Sequence, residues 1–222
     1  MTLCAIHQPT FFPWLGYFDK IKRSDVLIFL DRAAWQKSGS SMNSWCNRVK
    51  MNVSGIASWV SIPVVRDHGV QPIHTVRIDH SRPWRDSLRK LIEINYRKSR
   101  NFADVFPFVD RLIAFEADLV ADFNVNAITA IASRLGFSTR YVRESNLPET
   151  KLLANERLVK LVQMVGAQSY LYGAGSVGYL DTMSFATAGI DLVPQDFTPE
   201  PYGLRDRYIP GLSVIDYFMN RE

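Results

Sequence analysis

Val26-Leu27-Ile28-Phe29-Leu30-Asp31 is the stretch that decides the fold. Five apolar residues follow one another with no polar alternate, a run of strand length, and Asp31 ends it. A strand that is apolar on both sides must be covered on both sides, as in the centre of an α/β sheet with helices on its two faces. Upstream, Leu3 to His7 reads as a second short strand, which stops at the turn Gln8 to Pro13, where two prolines and two phenylalanines halt regular pairing. A helix from about Trp14 to Lys22 links the two strands.

Downstream, residues 32 to 46 are polar and rich in Ser and Gly, a loop of the length that either works or is disordered. Arg48 to Val53 and Ser58 to Val64 read as two strands joined around Gly55, and His74 to Asp79 alternates as a further strand. The period then becomes helical. Trp84, Leu88, Leu91 and Asn95 follow Pro83, and Leu119, Phe123, Ile128, Ile131 and Leu135 run to Gly136, a fitting helix stop. Thr139 to Arg143 is a strand, and Leu153, Leu158, Leu161, Val162 and Val165 form an amphipathic helix closed by Gly166. Ser169 to Tyr172 is a strand running into Gly173-Ala174-Gly175-Ser176, whose spacing matches neither a dinucleotide fingerprint nor a Walker loop. Leu192 to Phe197 is a late strand, Thr198 to Tyr202 a Pro-rich loop and Leu212 to Met219 a closing helix. The pattern predicts one mixed α/β or α+β domain over 1–222, with a mixed sheet flanked by helices. Within it, 1–80 is strand-rich, 84–136 helical and 139–222 built of strand-helix units.

The chain has 222 residues, 47% of them hydrophobic and 22% charged, which is the composition of a globular protein. No apolar run approaches the roughly 18 residues of a membrane span, and Met1 to Arg23 is broken by His7, Pro9, Pro13 and Asp19, so a cytoplasmic protein is expected. The net charge of +4 is unevenly spread. Residues 1–100 hold 16 Lys and Arg against 7 Asp and Glu, whereas the remainder holds 10 against 15. The basic first part suits an anionic partner: a nucleotide, a phosphorylated metabolite or RNA. Cys4 and Cys46 are too few for a disulfide framework, and His68, His74 and His80, spaced by six, do not form a metal-binding pattern. No metal or cofactor is predicted.

One constellation of residues resembles a known family. Ile6-His7-Gln8-Pro9, then Phe12-Pro13-Trp14-Leu15-Gly16-Tyr17-Phe18 with Lys20-Ile21 and Ser24-Asp25, is similar to the signature of the WbqC-like family, bacterial proteins found with O-antigen and other surface-sugar gene sets. Leu30-Asp31, Lys37, Asn47-Arg48-Val49-Lys50, Trp59 to Val64, Trp84, Tyr96, Arg157-Leu158, Gly166-Ala167, Tyr170-Leu171, Gly173, Tyr179-Leu180 and Leu212 to Asp216 with Asn220 continue it in order. The chain departs from that pattern at Arg85-Asp86-Ser87-Leu88, where relatives carry a histidine, and also at Arg100-Asn101, Tyr172 and Gly203. The resemblance implies a role in modifying amino sugars.

His7 leaves the first strand at its carboxyl end, where ligand sites of α/β sheets collect, and an ordinary imidazole titrates near 6.5, suited to taking a proton from an amine. Gln8 would hold a carbonyl or hydroxyl, and Asp31, ending the next strand, would orient the imidazole. Capping of local turns is the competing role for both His7 and Asp31. Lys37, Arg48 and Lys50 would bind an anion, and since Arg48 and Lys50 are two apart on a strand they share a face; a charged edge strand is the alternative. Asn47 and Arg157 join the set of binding residues through the resemblance, and Trp35 and Trp45 are the tryptophans placed to act as lid elements. A Cys46 nucleophile is set aside, because the resemblance rests on its neighbours. The expected function is transfer of a small acyl or aminoacyl group to an amine of an amino-sugar nucleotide or related small metabolite. The donor is open, tRNA-borne aminoacyl groups included, as is association with further copies of the chain. The competing class is a non-catalytic module that binds a sugar nucleotide or RNA for a partner enzyme.

Overall fold

The structure is a computed structural model that describes residues 1–35, 44–65, 69–173, 175, 178, 180–203 and 208–222. Lys37, His68, Ala174, Ser176 and Tyr179, all singled out from the sequence, lie outside the described residues. The chain forms two compact units. The first, here the sheet unit, comprises Met1–Gln8, Gly16–Arg32 and Ile131–Thr198; the second, the hairpin unit, comprises Pro9–Leu15, Ala33–Ala130 and Pro199–Glu222.

In the sheet unit, β1 (Leu3–His7), β2 (Val26–Phe29), β5 (Arg140–Arg143), β6 (Ser169–Tyr172) and β7 (Asp191–Pro194) form a five-stranded sheet in the order β5-β2-β1-β6-β7. Every pairing is parallel. Counted within this sheet alone, the order is 3-2-1-4-5, a doubly wound arrangement in which the strand order reverses between β1 and β6. The apolar run of β2 is buried at all four positions, as a central parallel strand requires. Cys4 and Ile6 of β1 and Val26 and Ile28 of β2 pack with Leu161 and Val162 of α5 (Ala154–Met164) and Phe185 of α6 (Thr182–Thr187). The alternation of a strand turns Leu3, Ala5 and His7 to the opposite face. There Tyr17 of α1 (Leu15–Arg23) meets the His7 ring edge-on, with centroids 4.5 Å apart.

The hairpin unit carries β3 (Arg48–Val53) and β4 (Ile56–Ser61), paired antiparallel, with α2 (Trp84–Tyr96), α3 (Phe102–Ala114), most of α4 (Val120–Arg134) and α7 (Val214–Asn220). β3 and β4 meet at Ser54-Gly55, both with positive φ, so the tight turn falls where glycine was expected. The second strand ends before Pro63, which has no N–H for a ladder, and so lies earlier than the expected 58–64. The strand expected over His74 to Asp79 is corrected: Ile73–Thr75 is a 3-10 turn, and only isolated bridges involve Arg77 and Ile78. Its alternation still reports burial, since Val76 and Ile78 face the core. Helix α3 lies inside the stretch 84–136 expected to be helical, although the sequence reading singles out no periodic residues in it. Pro107 lies inside it, while Val105, Val109, Leu112 and Ile113 form its buried stripe. The mixed α/β class is the one the sequence predicts. Among the described residues, no helix is long and apolar enough to cross a membrane.

Candidate functional site

At the carboxyl ends of β1 and β6, where the strand order reverses, the sheet unit opens into a cavity of about 460 Å3 whose walls include His7, Gln8, Lys20, Arg157, Tyr170 and Gly173. Open α/β sheets place ligands at this position because the loops there diverge to either face. Nδ1 of His7 lies 3.1 Å from the carbonyl of Gln8. A carbonyl only accepts, so Nδ1 carries the proton and Nε2 the lone pair. The Tyr17 hydroxyl donates to the same carbonyl at 3.0 Å. Burial, with a smaller contribution from the Lys20 cation, pushes the His7 pKa down to about 3, against a partial offset from the Gln8 carbonyl. The ring is therefore an uncharged imidazole at neutral pH, unlike the near-neutral titrating group expected from the sequence.

Lys20 is the residue that sequence reading missed. It is 6% exposed, and burial alone pulls its pKa down to about 8. Among the described residues it forms no ion pair with a carboxylate. Its ammonium sits over Gly173, where an added Cβ would lie 3.2 Å from Nζ and 3.4 Å from Oε1 of Gln195. Gln195 is held from its other end, donating to the Gly16 carbonyl at 2.6 Å and to Asp19 at 3.1 Å. The sequence did carry a signal: Lys20 shares an arc of α1 with buried Gly16, Tyr17 and Ile21, so a lysine stands on an apolar helix face.

Asp31 has other work than the expected orientation of His7. It is fully buried; Oδ2 accepts from Arg143 Nε at 2.8 Å and Ser145 Oγ at 2.7 Å, and Oδ1 accepts from the Ser145 amide at 2.8 Å. Arg157 lines the cavity while its guanidinium forks onto buried Glu144, with Nε and Nη2 donating at 2.6 and 2.7 Å. Arg32 donates to the carbonyls of Glu144, Ser145 and Leu147, closing a charged corner at the ends of β2 and β5.

The remaining predicted residues belong to the hairpin unit. Arg48 and Lys50 share a face, as two strand residues two apart must, and both stand over the half-exposed Trp59 ring, at 4.3 and 5.4 Å from its centroid. Trp59 meets Trp45 edge-on at 4.9 Å, and Trp45 leans on Trp14 at 5.7 Å. Trp45 is exposed, whereas Trp35 is buried, which corrects its expected place as a lid element. Asn47 lines a separate cavity of about 770 Å3, but its amide is engaged with the backbone, accepting from Ser44 N at 2.7 Å and donating to Ile62 O at 3.0 Å. Burial pushes the Cys46 thiol up to about 12, so it is protonated and a poor nucleophile.

The sequence model of the WbqC-like protein family matches residues 8–222, and the chain belongs to that family. It is also similar to the uncharacterized protein Rv1507c of Mycobacterium tuberculosis, with 28% identity over 230 residues, covering 99% of this chain and 94% of the relative. No solved structure matches the chain.

Proposed function

We propose, taking membership of the WbqC-like family as the premise, that this protein is a cytoplasmic transferase that moves a small acyl or aminoacyl group onto an amine. The amine belongs to an amino-sugar nucleotide or a related small metabolite, in the making of a bacterial surface polysaccharide or a secondary metabolite. One observation carries the reading: a buried lysine ammonium without a counter-ion among the described residues stands beside an uncharged imidazole, in the crevice where doubly wound sheets bind ligands. A buried cation lacking a partner is costly, and an anionic substrate group relieves it.

The same pairing activates His7. A phosphate on Lys20 cancels the smaller, electrostatic part of what holds the His7 pKa down, so His7 becomes a stronger base to that extent while burial keeps it below the ordinary value. The amine nitrogen then attacks the acyl carbonyl of the donor. A new C–N bond forms, the bond from acyl carbon to the donor's leaving group breaks, and the amine proton passes through His7 Nε2 to that leaving group. Gln8, beside His7 in the wall, would hold a sugar hydroxyl or carbonyl, while the charge of Arg157 in the same wall is answered by Glu144.

Incubation with nucleotide amino sugars and thioester, formyl and aminoacyl-tRNA donors, followed by mass spectrometry, tests this reading. The amino sugar gains the acyl mass, and His7→Ala lowers kcat/KM by roughly 100-fold or more. Activity of His7→Ala within a few-fold of the parent removes the base from the scheme. Binding of sugar nucleotide or tRNA with no covalent change favours the second reading, a binding module for a partner enzyme. The stacked Arg48, Trp59 and Trp45 support that alternative, since such a surface takes a base or a sugar ring on its flat face.

A further inference from the structure

The hairpin unit contains a cavity of about 450 Å3 that the transfer reading does not use, and Asp216 stands in its wall. Asp216 lies in the first turn of α7, whose Ser213 cap donates its hydroxyl to the Phe12 carbonyl and accepts from the Ile215 amide. The Asp216 residue is 5% exposed. Its Oδ2 accepts from the Tyr202 hydroxyl at 2.8 Å, while Oδ1 is buried with no hydrogen-bond partner. The Tyr96 hydroxyl and the Asn220 amide both approach the carboxylate without closing a well-formed hydrogen bond to it; Tyr96 accepts the Asn52 amide at 3.1 Å, and Asn220 donates to the Asp216 backbone carbonyl at 3.0 Å. Rings surround the group: Tyr202 meets Tyr208 edge-on at 5.1 Å and Tyr217 at 5.2 Å. Burial raises the carboxyl pKa, and it raises those of Tyr96 and Tyr202 further beyond the physiological range, so these phenols stay neutral. Lys98 and Arg100, both exposed, stand at the rim together with Glu222.

A half-satisfied carboxylate inside a wall of tyrosines is complementary to one kind of group. An ammonium donates to the open oxygen, and its remaining charge is attracted to the ring faces. A neutral hydroxyl would satisfy the oxygen and gain little from the rings, and an anion would be repelled by Asp216. The two cations of the rim, which outnumber Glu222 there, suit the opposite end of the same molecule. We infer that this cavity binds the protonated amine of a small phosphorylated or carboxylated metabolite, with Asp216 Oδ1 as its anchor, Tyr202 and Tyr208 as its walls, and Lys98 and Arg100 facing the anionic end. The site is independent of the transfer chemistry assigned to the His7 crevice, and it stands whether or not that chemistry occurs.

Calorimetric titration of the full chain with glucosamine 6-phosphate and with glucose 6-phosphate tests the inference, because the two probes share the phosphate and differ in the amine. The amino sugar binds about 10-fold or more tightly than the hydroxyl sugar, and Asp216→Asn erases the difference. Tyr208→Leu, at a half-buried wall position, keeps the parent melting temperature and weakens the amino sugar several-fold; it carries the test if Asp216→Asn does not fold. Equal affinity for the two sugars, or binding of neither, overturns the inference. So does a preference that survives both variants, or one that His7→Ala abolishes in their place.

Discussion

Two buried charge clusters of the sheet unit, built within one short stretch of strand ends, follow opposite rules. In the corner of Asp31, Arg143, Glu144 and Arg157, each buried carboxylate meets a guanidinium, and backbone or hydroxyl donors meet the oxygens as well. In the crevice, Lys20 is buried with no carboxylate partner among the described residues, and His7 is held uncharged beside it. The first cluster is electrostatically complete and therefore structural. Among the described residues the second has no carboxylate for its lysine, and this incompleteness marks it as the candidate site. The lesson reverses the weight that residue type alone would give: Asp31, the acid expected to orient His7, is paired within the fold, and a lysine inside a helix lines the candidate site.

Breaking the complete cluster should have the largest effect. Asp31→Asn leaves the Arg143 guanidinium without its buried partner, and urea unfolding should record a loss of about 3 kcal/mol or more. A loss under about 1 kcal/mol would mean that the corner is replaceable and the contrast between the clusters false.

Acid should separate the clusters next. Because the folded pKa of His7 lies at about 3, below the ordinary 6.5, the unfolded chain binds that proton first. The contribution is fully present above pH 6.5 and is lost as the pH falls from there toward 3. By pH 5 it should cost about 2 kcal/mol relative to pH 7.5, while His7→Gln flattens that part of the profile. An unchanged profile in His7→Gln would show that the imidazole is not held neutral.

The smallest effect has the most telling sign. Lys20→Met removes a buried ammonium that has no counter-ion among the described residues, so at pH 7 the variant should be about 1–2 kcal/mol more stable than the parent while losing affinity for nucleotide sugars. Since the folded Lys20 pKa is depressed to about 8, the parent gains stability as the pH rises from 8 toward 10.5, and the advantage of the variant shrinks over that window. Destabilisation by Lys20→Met at neutral pH would sink the idea of an unpaired charge.

Local sequence determined a good deal of this protein. The uninterrupted apolar run at Val26 to Leu30 announced a central strand covered on both faces, the turn after His7 put an imidazole at a strand end, and the spacing of Arg48 and Lys50 gave them a common face. Such features are legible because strand and helix periods act over neighbouring residues. Pairing of charges is not local. Asp31 finds Arg143 across 112 positions of chain, and Trp35, placed in a polar segment, is carried into a core. Only the folded arrangement decided which ionisable groups were buried with partners and which without, because desolvation and Coulomb attraction depend on distances that the order of residues does not state.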